Sequence, residues 1–192
     1  MWTGSGTSVK KTFPDNSSYL EGVASSMPNE NMNSTAFRLS YGKFDYFAGG
    51  DLECDETLVF PWRNTEKPVA DAVGKVEVMK ANHHGSVGDN SQYFLDKLAP
   101  QAIVVNTWRK VQPRVSTYER FKSSGADVFT TNLDASYAEG YSDGGASLAY
   151  THGHYVVCVA PGGDHYCIYV LDDKDTDMKM RLVKHFGPYY CE

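Results

Sequence analysis

The sequence predicts an α/β (α+β) fold, on three observations. Between residues 76 and 131, apolar runs and amphipathic segments alternate as strand, helix, strand, helix, strand, the pattern of an α/β layer. Aromatic residues make up 13% of the 192 residues, 13 of them being Tyr, a composition that suits pleated surfaces. After residue 136 the apolar runs are short and read as β-type. Apolar residues amount to 41%, inside the globular range, and the length suffices for one domain with its own core.

The elements follow from local chemistry. Residues 1–28 are polar and punctuated by Gly, Ser, Asn and Pro, an irregular lead-in with at most a short helical piece near Ser18 to Ser25. Ala36 to Ser40 and Phe44 to Phe47, joined by Tyr41-Gly42-Lys43, predict a hairpin. Glu66 to Val73 is a helix after Asn64-Thr65, either of which can serve as N-cap. Val76 to Met79 is a strand. Ser91 to Leu98 has helical spacing and ends before Ala99-Pro100. Ala102 to Val105 is a buried β-branched strand. Val115 to Ser123 is a helix stopped by Gly125, and Val128 to Thr131 a further strand.

Residues 136–192 read as a β-rich extension, with Gly140 and Gly144-Gly145 in the connection. Its strands are Ser147 to Tyr150, Tyr155 to Ala160, Tyr166 to Leu171 and Met180 to His185, with a charged turn over Asp172 to Asp177. The turn Pro161-Gly162-Gly163-Asp164 predicts that Ala160 faces His165 and Cys158 faces Cys167. A cross-strand disulfide and a pair of buried thiols are both open readings there. Cys54 and Cys191 complete the four cysteines, and their spacing makes no zinc finger.

Charge excludes some functions. The chain carries 18 Lys+Arg against 24 Asp+Glu, a formal net charge of -6, with no basic cluster, which argues against a nucleic-acid partner. No apolar run approaches the ~20 residues that span a bilayer, and Met1 to Gly6 has no apolar core of the signal-peptide kind.

Two motifs carry chemistry. Gly49-Gly50-Asp51-Leu52-Glu53 and Met79-Lys80-Ala81-Asn82-His83-His84-Gly85-Ser86 each follow a short apolar strand. A carboxylate and two imidazoles thus stand where strands run into loops, on a frame that fixes geometry and leaves the side chains accessible. These ligand types suit zinc, iron or manganese. Against this stand blander roles: Asp51 as a turn residue bonded to its own backbone, and His83 and His84 as solvated loop residues.

The ordered pair of motifs resembles the second half of a metallo-β-lactamase-fold hydrolase, of the branch that holds the C-terminal domain of DNA-uptake channel proteins and the choline-phosphate esterases. The resemblance covers roughly residues 29–135 and rests on three segments. They are the Asn-rich lead-in Asn29 to Ser34, the hairpin Ala36 to Leu52 ending in Asp51, and the late motif Val78 to Ser86. It implies the second half of an αββα sandwich, with the β-rich C-terminal extension attached. It further implies that Asp51 bridges two metal ions, zinc first with iron or manganese as alternatives, and that His84 ligates one of them. His83 would then contact substrate, the reverse assignment of the two imidazoles being the alternative. The ions would activate a water for attack on an ester-type bond, phosphoesters leading. Gly85 would take a positive φ angle, and Ser86 would cap the next turn or donate to a substrate oxygen.

The sequence also departs from that family. The early motif His-x-His-x-Asp-His is absent, and the only His-x-His, at His152-Gly153-His154, follows the late motif. Two ligands fall short of the three protein ligands of a catalytic zinc. The expectation is therefore a half-site, inactive alone and completed by pairing with an N-terminal half or by self-association through a bare sheet face. The alternative function is a non-catalytic interaction module that keeps the fold. Gln112-Pro113 stands where relatives have His-Pro, an amide in place of an imidazole. Glu53, Cys54, Asp55 and Glu56 read as a solvated acidic loop, with a role in orienting a ligand as the alternative. His152, His154, His165 and His185 read as structural or surface residues.

Overall fold

The computed structural model describes residues 30–54, 64–172, 174 and 181–192. The lead-in 1–28, Asn29, the acidic pair Asp55-Glu56, most of the charged turn and the start of the last expected strand lie outside the described residues.

Six strands form the larger sheet, in chain order: β1 (Phe37–Tyr41), β2 (Phe44–Ala48), β3 (Val78–Lys80), β4 (Ala102–Val105), β5 (Asp127–Thr130) and β6 (Leu148–Thr151). The hairpin β1–β2 is antiparallel, with Tyr41 opposite Phe44. Every later neighbour is parallel. Parallel neighbours need crossovers, and four helices supply them: α1 (Glu66–Val73), α2 (Gln92–Leu98), α3 (Val115–Ser124) and the short α4 (Ala135–Ala138). The mixed α/β class expected from the alternation is thus present.

Caps fall where the side chains favour them. Asn64 Oδ1 accepts from Lys67 N–H at 3.0 Å at the start of α1. Ser91 Oγ accepts from Phe94 N–H at 3.3 Å and caps α2, while Ser86 Oγ accepts from Gln112 Nε2 at 3.5 Å. Gly125 ends α3 at φ 76°, a conformation that costs glycine little.

Period-two alternation gives the larger sheet two apolar faces. Phe47, Met79, Ile103, Val105 and Val128 point to one face and pack under α1, α2 and α3 through Val69, Val73, Phe94, Leu98 and Phe121. Phe44, Val78, Ala102 and Phe129 point to the other. That second face is covered by a three-stranded antiparallel sheet, β7 (His154–Val159), β8 (His165–Leu171) and β9 (Leu182–Tyr190), through Tyr166 and Ile168, both 0% exposed. The layers are helix, sheet, sheet. The expectation of a bare sheet face is corrected over β2 to β5 by this cover, while β1 leaves Phe37, Leu39 and Tyr41 exposed on the same side.

Two details differ from the sequence reading. β6 comes from the segment read as extension, yet it pairs with β5 and completes the larger sheet. β9 runs on to Tyr190, past Gly187-Pro188. It is an edge strand, and its ladder with β8 shifts register between Tyr166 and Ile168, the setting in which a strand tolerates proline.

Candidate metal and substrate site

The site lies at the carboxyl ends of β2, β3 and β4, the edge of an open parallel sheet where loops splay apart. β2 delivers Asp51, β3 delivers His83, His84 and Ser86, and β4 delivers the loop from Asn106 to Arg114. All four expected site residues fall together: Asp51, His83, His84 and Ser86 line one cavity of about 380 Å³.

The backbone that presents the two imidazoles is unusual. His83 (φ 46°) and His84 (φ 56°) are both left-handed, and Gly85 follows at φ 73°. A non-glycine residue in this region is uncommon, and such strain gathers at functional sites. The expected positive φ at Gly85 is present, and a Cβ there would stand 2.7 Å from Pro113 Cβ.

Buried polar groups over-determine the turn. Glu66, 0% exposed, accepts from Asn82 Nδ2 at 2.9 Å, Asn90 N–H at 2.6 Å and Ser91 N–H at 2.8 Å. Burial nevertheless pushes its carboxyl up to about 7. Asn90 Oδ1 in turn accepts from Asn82 N–H at 2.7 Å. Arg120 donates to the carbonyls of Asn90 and Asp89 at 2.9 and 2.7 Å. Breaking such a buried network is costly, because each orphaned donor loses its partner.

His84 is oriented as a ligand would be. Its Nδ1 bonds the carbonyl of Asn106, and a carbonyl can only accept, so the ring proton sits on Nδ1. Nε2 faces Asp51 Oδ1 at 3.5 Å. A histidine whose second nitrogen is tied to a carbonyl is the arrangement found behind metal ligands. Asp51 is placed through its backbone, whose N–H donates to Ser34 Oγ at 3.0 Å, and its carboxylate is left open to the cavity.

His83 is held differently. Its Nδ1 lies 2.8 Å from Asp89 Oδ2 and 3.9 Å from Glu53 Oε1, and Asn31 Nδ2 lies 3.4 Å from Nε2. The bond to Asp89 raises the imidazole above its usual range despite partial burial. Asp89 is also raised, because burial outweighs the bonds from His83 and Cys54 N–H. The short bond between the two favours a protonated imidazole beside the carboxylate. Glu53 accepts from Asn31 Nδ2 at 3.0 Å and its side chain is 14% exposed. The solvated acidic loop is thereby corrected at Glu53, which faces His83 instead.

Sequence reasoning missed Asp89, Glu66, Asn31 and the cavity's cations. Arg109 and Arg114 line the cavity beside Trp108, which is 72% exposed. Gln112 is buried, and its Oε1 accepts from the N–H groups of Trp108 and Arg109 at 3.0 and 2.9 Å, so this amide shapes the loop that carries them.

A catalytic zinc needs about three protein ligands. Asp51 and His84 supply two donors of the right chemistry. Among the described residues, no group of three or more His, Cys, Asp or Glu side chains is placed to hold a metal ion. The donor set fits half of a metal centre. No helix among the described residues is long and apolar enough to cross a membrane. The chain matches no protein-family model. No curated protein matches it either.

Proposed function

We propose that the chain is the C-terminal half of a metal-dependent hydrolase of the metallo-β-lactamase fold, the second half of its αββα sandwich with a β-rich extension, and that phosphoesters are its substrates. The observation that carries this reading is the pairing of Asp51 Oδ1 with His84 Nε2 at 3.5 Å, with the far side of the ring fixed on a carbonyl. Asp51 and His84 would hold the metal, zinc first, with iron or manganese as alternatives. When bound, the metal supplies a water nucleophile near neutral pH and charge stabilisation at the attacked centre. His83, steadied by Asp89, presents Nε2 to the substrate side. Arg109 and Arg114 favour an anionic group in the cavity, since guanidinium suits phosphate oxygens. This local positive charge stands against an acidic chain, which agrees with a small phosphoester better than with a nucleic acid.

The donor count supports a second reading, in which the motif is kept as scaffold in a non-catalytic interaction module. Zinc titration of the purified full chain, beside Asp51→Ala, His84→Ala and His83→Ala, separates the two. Two donors hold zinc weakly, so weak zinc binding that is further reduced in the first two variants and kept in the third supports the half-site. Zinc binding of equal strength in all four proteins overturns it.

A further inference from the structure

The β7–β8 hairpin sets Cys158 directly opposite Cys167. Ala160 N–H donates to His165 O at 2.9 Å, and Gly163 N–H donates to Ala160 O at 2.9 Å to close the loop. From there the register runs unbroken to His154 opposite Leu171. Directly opposed residues share a face. Tyr166, Ile168 and Val170 are buried against the larger sheet, so Cys167 lies on the outer face with Cys158. Both are present as thiols, Cys158 exposed and Cys167 half-buried, whereas Cys54 and Cys191 are buried. The expectation of two buried thiols is thus corrected at Cys158.

The ladder fixes what kind of bond this pair can make. Hydrogen-bonded and non-hydrogen-bonded pairs alternate along antiparallel strands. Ala160–His165 is a hydrogen-bonded pair, so Cys158–Cys167, two steps on, is one too. Such pairs hold their Cα atoms about 5.5 Å apart, inside the roughly 4.4–6.8 Å span of disulfides. Their Cβ atoms stand farther apart than the ~3.8 Å a relaxed disulfide prefers. The bond therefore closes with strain, and strained, accessible disulfides are the easily reduced ones.

We propose that Cys158 and Cys167 form a reversible dithiol–disulfide couple on the outer face of the small sheet, with a small-molecule disulfide such as oxidised glutathione as co-reactant. Cys158, the exposed partner, attacks as thiolate after losing a proton. One glutathione thiolate leaves and a mixed disulfide remains. The Cys167 thiolate then attacks Cys158 Sγ and expels the second glutathione. The two cysteines lose two protons and two electrons, and one oxidised glutathione becomes two reduced ones. The reverse exchange restores both thiols. The couple is independent of Asp51 and His84.

The test equilibrates the full chain with graded ratios of oxidised to reduced glutathione, quenches with acid, alkylates and maps peptides by mass. The expected result is a Cys158–Cys167 link, two hydrogens lighter than the dithiol, that forms at oxidising ratios and opens at reducing ones. Cys158→Ser and Cys167→Ser should each trap a single glutathione adduct on the remaining cysteine. A stable adduct on wild-type Cys158 without a link overturns the proposal. So does a link to another cysteine, or one that survives excess reduced glutathione. Wild-type mapping decides the matter even if a variant fails to fold.

Discussion

His83 Nδ1 lies 2.8 Å from the carboxylate of Asp89, a side chain only 3% exposed. This bond, together with the charges of Asp51 and Glu53, favours the protonated imidazole. In metal-free protein His83 should titrate above the ordinary imidazole range, and Asp89→Asn should bring it down. Following the ring protons by NMR across the neutral range checks this. A His83 midpoint unmoved by Asp89→Asn would refute it.

Glu66 gives a pH dependence of stability. Its folded-state value near 7 lies above the ordinary 4.5, so the folded state binds this proton more tightly than the unfolded chain does. The contribution is complete below about 4.5 and is lost as pH rises through about 7. Wild type should therefore lose stability across that window relative to Glu66→Gln, whose amide does not titrate. The variant itself should cost on the order of 1–3 kcal/mol at low pH, because its NH₂ meets a backbone N–H. Urea unfolding of both proteins at several pH values measures the difference. Parallel curves would exclude Glu66 as the source.

Gly85→Ala places a Cβ 2.7 Å from Pro113 Cβ in a residue at φ 73°. Left-handed backbone costs an alanine roughly 1–3 kcal/mol, and the clash adds to it. A loss of about 2 kcal/mol or more is expected in chemical denaturation. A variant as stable as wild type would mean that this turn is not pinned as described.

Phe129 is 0% exposed between the two sheets. Its ring meets Tyr155 at 5.4 Å and Phe186 at 5.0 Å, both edge-on. Phe129→Ala should cost about 3–5 kcal/mol, the range for a buried aromatic. A cost under about 1 kcal/mol, typical of a surface position, would show the small sheet to be loosely attached.

Much of this fold is legible in the sequence. The hairpin, α1, α2, α3 and the parallel strands announce themselves through apolar period and caps, because each is decided within its own segment. β6 is less legible, since Leu148–Thr151 reads as a strand but nothing local names its partner β5. The Gly187-Pro188 step hides the length of β9, because an edge position relaxes the rule against proline. At the site, Asp51, His83 and His84 are readable as motif residues. Asp89 and Glu66 are not, because a carboxylate's role depends on burial and on which backbone donors surround it. Arg109 and Arg114 sit on a loop whose aim is set by Gln112, an interaction with no sequence signature.

If the proposed half-site is completed by a second half, the small sheet has a kinetic meaning for that assembly. With β7–β9 seated on Phe44, Val78, Ala102 and Phe129, an incoming domain finds that part of the larger sheet already taken. Two routes contrast: an encounter that leaves the small sheet in place, at the ends of β2, β3 and β4 or along the exposed β1 residues Phe37, Leu39 and Tyr41, or eviction of the small sheet. The first proceeds at the rate of surface collision. The second waits on breaking the Phe129–Phe186 contact before any new one forms, and association gated by such a rearrangement is slow. The time course of assembly would therefore reveal the route, a slow phase independent of partner concentration marking eviction and a concentration-dependent phase marking the direct encounter.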